Sequence, residues 1–239
     1  MTLPAALLLP LIVPQGLWVA ARALRLPEAT GPRSGRAGDG PTLRLLIAGD
    51  SSAAGVGVAT QDDALAGRLV AKLATKADVD WSLAARSGAT SAGTLARLAA
   101  LPAQPVDALV IAVGVNDVKN GVTARTWMRN VNALLDLAEA RFGAPRIYVS
   151  GLPPVGDFPL LPDPLRRILG KRARGFDARV ARIAADRARV RHIPLRLAME
   201  ASDMAPDGFH PGPAIYAGWA GLLAEAILAD VPEMSARLG

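Results

Sequence analysis

Cysteine is absent from this chain of 239 residues. That excludes a disulfide scaffold, a thiol nucleophile, iron–sulfur ligation and cysteine-bound zinc. Histidine is almost absent too: His192 and His210 are the only two, which leaves nothing for a histidine-rich metal site. Aromatic residues make up only 4% of the chain against 51% hydrophobic residues, so a core can form but must be built largely from Ala, Val and Leu. The length suits one α/β domain with a short appendage.

The net charge of +6 is not spread evenly. Residues 164–191 hold ten basic residues and only Asp177 and Asp186 as acids, which leaves the rest of the chain near neutral. Such a stripe is either a solvated helix face or a contact for an anionic surface. No nucleic-acid module signature accompanies it and few aromatics lie among the arginines, so nucleic acid is not expected as a partner.

The first 21 residues, MTLPAALLLPLIVPQGLWVAA, carry no charged side chain. That is just the length a membrane span needs, about 20 residues, but Pro4, Pro10, Pro14 and Gly16 interrupt it as a regular helix. It also lacks the basic start and cleavage site of a secretory signal. Residues 1–26 therefore read as an anchor, an interfacial segment or an apolar arm packed on its own domain. Residues 27–42, rich in Gly and Pro, read as a linker to a domain spanning 43–239. Were the segment to span, the arginines after it would keep the domain on the cytoplasmic side. The expected location is the cytoplasmic face of a bacterial inner membrane, peripheral or singly anchored, against a soluble cytoplasmic protein with a packed arm.

From residue 43 the pattern is regular. Apolar runs at 43–49, 79–84, 106–114, 145–153 and 190–195 read as strands, and segments 61–74, 90–101, 123–142 and 212–228 as helices, with a further helix in the basic stretch. Strands and helices alternating in this way predict a doubly wound, mostly parallel sheet of five strands between helical layers. In such sheets ligands bind beyond the carboxyl ends of the strands. Three loops lie there: GDSSAAGVG (49–57), SGATS (87–91) and GVND (114–117). The first has neither the lysine of a Walker loop nor the third glycine of a dinucleotide loop. What it offers is a serine directly after a buried strand.

A nucleophilic serine needs a base and an acid that orients that base. DGFHPG near the C-terminus places Asp207 three residues before His210, so one turn can supply both. His192 is a competing base, but it sits inside the apolar VRHIPL run and reads as a core or strand-edge histidine. Asn116 can donate its amide to an oxyanion, joined by backbone N–H groups near Ser51 and Gly88. Asp50 and Asp117 read as structural acids that bind backbone amides. Arg86 is a candidate substrate contact, with a solvent-facing arginine as the simpler reading.

Together, Gly49-Asp50-Ser51-Ser52, Gly88, Gly114-Val115-Asn116-Asp117 and Asp207-Gly208-Phe209-His210 resemble the SGNH hydrolase, or GDSL-type esterase, superfamily. The blocks occur in order over residues 43–230. The resemblance implies a flavodoxin-like α/β/α sandwich and ester hydrolysis with no metal and no cofactor. It implies Ser51, Asp207 and His210 as the triad and Ser51, Gly88 and Asn116 as the oxyanion hole. Two departures stand out: Ser52 replaces the leucine of the name-giving motif, and Arg86-Ser87-Gly88 lacks the asparagine many members carry just before the glycine. GLPPVGDFPLLP (151–162) reads either as the wall of an acyl pocket, through Phe158, Leu160 and Leu161, or as a rigid crossover packing its own Leu and Phe. The expected substrates are short- to medium-chain acyl esters or lysophospholipid-like esters, small molecules or lipids. Acyl transfer to, or deacetylation of, a sugar is the alternative, followed by a non-catalytic, membrane-associated binding protein.

Overall fold

Along Thr42–Gly49, Leu43, Leu45 and Ile47 pack into one hydrophobic cluster and Leu46 and Ala48 into another. A strand whose successive side chains point to opposite faces, both apolar, must lie between two covering layers. The computed structural model, which describes residues 9–143, 145–197 and 200–230, shows those layers. The sheet runs β1(Ser34–Ala37), β3(Asp78–Ala85), β2(Thr42–Gly49), β4(Ala108–Ala112), β5(Arg146–Ser150), β6(Val190–Ile193) in spatial order. Strands β2 to β6 pair in parallel, and β2 meets β3 from Thr42↔Asp78 to Gly49↔Ala85.

One face is covered by α2(Leu65–Leu73) and α7(Pro213–Asp230), which bury Leu65, Leu69, Leu73, Trp219, Leu223 and Ile227 against it. On the other face lie α3(Ser91–Ala100), α5(Ala124–Arg141) and α6(Leu165–Ala185), contributing Leu98, Trp127, Leu135, Phe176 and Val180. Among the described residues, the remaining α-helices are the short α4(Val115–Lys119) and the N-terminal α1(Leu9–Arg22). This is the expected sandwich, with five parallel strands at its centre.

The sixth strand corrects the reading of 27–42 as a linker. β1 pairs antiparallel with β3, from Ser34↔Ser82 to Ala37↔Val79. Upstream, Thr30 bridges Thr60. Gly38 adopts φ +90° because the chain turns tightly against the α2–β3 connection; a Cβ there would lie 2.2 Å from the Ala77 carbonyl oxygen. Glycine in this stretch serves close approach rather than looseness. The helix expected over 61–74 also starts later, at Leu65, and Asp63 instead pairs with Arg68 at 2.5 Å.

Residues 1–8 of the apolar N-terminal segment lie outside the described residues, but α1 runs through Pro14 despite its expected interruption. Pro10 falls in the first turn, where no N–H is used, and Pro14 costs one intrahelical bond. Helix α1 is pinned to the start of α6. Gln15 Nε2 donates to the Asp163 carbonyl at 2.6 Å, and Leu165 N donates to Gln15 Oε1 at 3.2 Å. Ile12 and Val19 pack against the core. Among the described residues, no helix is long and apolar enough to cross a membrane.

Candidate active site

Four loops meet at the carboxyl end of the sheet, and backbone and side-chain hydrogen bonds tie them together. Asp50 N donates to the Ala112 carbonyl at 3.1 Å, fastening the loop after β2 to the end of β4. Arg86 N donates to Gly49 O at 3.2 Å, which brings the turn after β3 to the same point. Asn116, in the first turn of α4, donates from Nδ2 to the Ala89 carbonyl at 3.0 Å. One hydrogen of that amide is thereby used, and the second is left for another acceptor.

Ser51 sits at the start of a tight turn in which Val56 N donates to Ser51 O at 3.0 Å and Ala54 N to Asp50 O at 3.0 Å. Tyr216 of α7 fastens this turn from below, its hydroxyl 2.9 Å from Ser52 O and 2.7 Å from Val56 O. The histidine arrives from the opposite end of the chain. His210 Nε2 lies 2.9 Å from Ser51 Oγ, and His210 Nδ1 lies 2.5 Å from Asp207 Oδ2. The other oxygen of Asp207 accepts from His210 N at 2.9 Å and Phe209 N at 3.0 Å. Burial pushes the Asp207 carboxyl up, but the His210 ring and these backbone donors outweigh it and hold the group below its ordinary range. An ionised carboxylate fixed on Nδ1–H leaves Nε2 as the basic nitrogen facing the hydroxyl. The arrangement can take a proton from Ser51 Oγ.

Gly88 occupies an exposed turn with φ +76°, and no protein atom comes within 4 Å of where a Cβ would stand. The turn is held from the segment first read as a linker. Ser87 N donates to Glu28 Oε1 at 2.6 Å, and Glu28 Oε2 pairs with Arg33 at 2.9 Å. Sequence reasoning missed Glu28, because a side chain that binds a distant backbone amide leaves no local pattern. Arg86, in the same turn, is exposed.

The neighbouring acids take separate places. Asp50 is 4% exposed and accepts from Ser52 N at 3.0 Å. Burial, aided by the charge of Asp117, pushes its pKa up to about 6 against the pull of Ser52 N and His210. Asp117 is fully buried, accepting from Ser91 N at 2.8 Å and Ser91 Oγ at 2.6 Å, while Asn130 Nδ2 donates to that hydroxyl at 3.1 Å. Its pKa is raised by desolvation, which exceeds the effect of the Ser91 donors. His192 stands away from Ser51. Its Nε2 lies 2.7 Å from Asp177 Oδ1, which also accepts from Leu152 N at 3.0 Å.

The cleft beside Ser51 is small and mainly apolar, with Phe158, Met204, Phe209 and Val115 in its walls. Of the three residues expected to line an acyl pocket, Phe158 lies in the wall of this cleft, packed edge-on against Phe209 with ring centroids 5.2 Å apart. Leu160 and Leu161 do not. Leu160 uses its backbone N–H on Gly208 O at 3.2 Å, and Leu161 is buried in the core under the loop. The Pro-rich run turns inward after Phe158, so its apolar residues divide between cleft and core. Among the described residues, no group of acids and histidines could hold a metal ion.

Comparison with known proteins agrees with this fold. The model of the GDSL-like lipase/acylhydrolase family matches residues 47–217, well over half of the chain. A search of curated proteins finds no match. Among solved structures, TesA is 27% identical over 80% of this chain and 99% of its own, with a TM-score of 0.60. The psychrotrophic esterase EstA from Pseudoalteromonas sp. is 23% identical over 77% of this chain and 96% of its own, TM-score 0.58. Est24, a carbohydrate acetylesterase from Sinorhizobium meliloti, is 15% identical over 78% of this chain and 99% of its own, TM-score 0.59. The parallel sandwich, the loops gathered at its carboxyl edge and the family match lead to one assignment: the chain belongs to the GDSL-like lipase/acylhydrolase family and is a carboxylic ester hydrolase.

Proposed function

We propose that Ser51, His210 and Asp207 act as a catalytic triad on short- to medium-chain acyl esters. The observation that carries the reading is the unbroken relay of 2.9 Å and 2.5 Å from hydroxyl through imidazole to carboxylate. Ser51 Oγ attacks the ester carbonyl carbon as His210 Nε2 takes its proton. The carbonyl oxygen gains the charge and is met by the N–H groups of Ser51 and Gly88 and the second Nδ2 hydrogen of Asn116. Collapse of the intermediate expels the alcohol, which leaves with the proton from His210. Water then attacks the acyl-enzyme through the same groups.

The small apolar cleft supports the shorter acyl groups within the range of lipid and small-molecule esters. The test is hydrolysis of p-nitrophenyl acetate through octanoate by the wild type, Ser51→Ala, His210→Ala and the double variant. Each single change is expected to lower kcat on the order of 10⁴-fold or more, and the double variant little further, because triad members act as a unit. Near-normal turnover by a folded His210→Ala protein overturns the triad. A folded His192→Ala protein is expected to keep its turnover.

A further inference from the structure

The outward face of α1 departs from what a water-exposed helix carries. Its inner residues, Ile12, Gln15 and Val19, face the protein. Its outer arc holds Leu11, Val13, Pro14, Leu17 and Trp18, with Leu17 68% exposed and Trp18 47% exposed. Arg22, stacked over Trp18 at 4.9 Å, is the first charge the arc meets. An apolar arc of this width on a free helix surface calls for a covering partner.

The adjoining helix indicates which one. Gln15 ties α1 to the start of α6, and along α6 the exposed residues include Arg167, Lys171, Arg174 and Arg182, one helical face of cations. Lys171, Arg174 and Arg182 have no ion-pair partner among the described residues. Arg167 shares Asp163 at 3.4 Å and is itself 82% exposed.

We propose that α1 and the cationic face of α6 together form a docking surface for an anionic lipid bilayer. The described part of α1, 14 residues and roughly 21 Å, is held along the protein by Gln15 with its apolar arc outward, the arrangement of a helix lying in the interface. Its apolar arc enters the acyl boundary while the arginines and lysine meet the headgroup charge. A second copy of the chain as occupant would set like charges face to face, and a nucleic acid has no use for the apolar arc. The surface adjoins the cleft through the connection 151–164, which carries Phe158 into the cleft wall and ends at the start of α6.

The test is co-sedimentation of the full chain with vesicles of phosphatidylglycerol and, separately, phosphatidylcholine at low and high salt. Binding is expected to phosphatidylglycerol only, weakening as salt rises. Changing Arg167, Lys171 and Arg174 together to Gln should reduce the affinity on the order of 10²-fold. Leu11→Ser with Leu17→Ser should reduce it about tenfold or more. Both sets lie on the surface away from Ser51, so p-nitrophenyl acetate turnover is expected to stay at the wild-type level. That assay keeps a failure of docking distinct from a failure of the triad. The proposal is overturned by absence of binding to phosphatidylglycerol, by equal binding to both lipids, or by indifference to either variant set. A concentration-dependent dimer abolished by the Leu11→Ser, Leu17→Ser pair also overturns it, in favour of a second copy.

Discussion

Asp50 and Asn116 show how much the meaning of a side chain here depends on what already occupies its hydrogen bonds. Asp50 is buried beside Ser51 and keeps its proton to higher pH than an exposed carboxyl, its pKa pushed up to about 6 from the ordinary 3.8. A carboxyl that binds its proton more tightly folded than unfolded favours folding at acid pH, and that advantage is lost as pH rises from about 4 to 6. Asp50→Asn keeps an acceptor for Ser52 N and abolishes the titration. The variant should be more stable than the wild type at pH 8, by about 2–3 kcal/mol at most, and indistinguishable below pH 4. Urea unfolding at the two pH values checks this. Asn116 has one amide hydrogen committed to Ala89 and one to give. Asn116→Ala should lower kcat by roughly 10²–10³-fold with a smaller change in KM, measured where chemistry limits turnover.

At the scale of elements, the turn after β3 depends on a residue contributed from outside the strand–helix alternation. Glu28 accepts from Ser87 N, one residue before Gly88; burial, the largest single influence, pushes its carboxyl up, but Ser87 and Arg33 together outweigh it and hold the group below the usual range. Glu28→Ala frees the turn. The expected result is a roughly tenfold loss in kcat with KM nearly unchanged, the size of one charge-assisted hydrogen bond, and rescue by Glu28→Gln, which restores an acceptor. A change in melting temperature with kcat intact would make Glu28 merely structural. On the opposite wall, Phe158→Leu should shift the preferred acyl chain toward longer members, whereas Leu161→Ala should lower stability and leave the order of preference alone. The loops bearing Ser51, Gly88, Asn116 and His210 were legible because each follows a buried strand or precedes a long helix, where period and punctuation are strongest. β1 was not. It is four residues long, largely exposed, and so carries no alternation to read. Glu28 escaped for the same reason, and Leu160 and Leu161 were misassigned because apolar character does not say which side of a loop a residue faces.

For the whole molecule, the position of β1 moves the domain boundary. A chain shortened to begin at Thr42 loses an edge strand, the Thr30–Thr60 bridge and the Glu28 clasp. It should melt well below the full chain and lose most activity. A chain beginning at Leu26 sheds α1, what precedes it and residues 23–25, and should keep soluble-ester turnover within about twofold, since α1 meets the rest through Gln15 and a few partly buried side chains. Thermal melts and p-nitrophenyl acetate rates of the two truncations decide the matter. The relay joins partners 159 positions apart, Ser51 just after β2 and His210 just before the final helix. Reactivity toward a fluorophosphonate probe is therefore expected to report chain closure: during refolding, the serine should become labelable only once the segment carrying His210 has docked onto the turn carrying Ser51, so the labelling time course clocks the joining of distant parts of the fold.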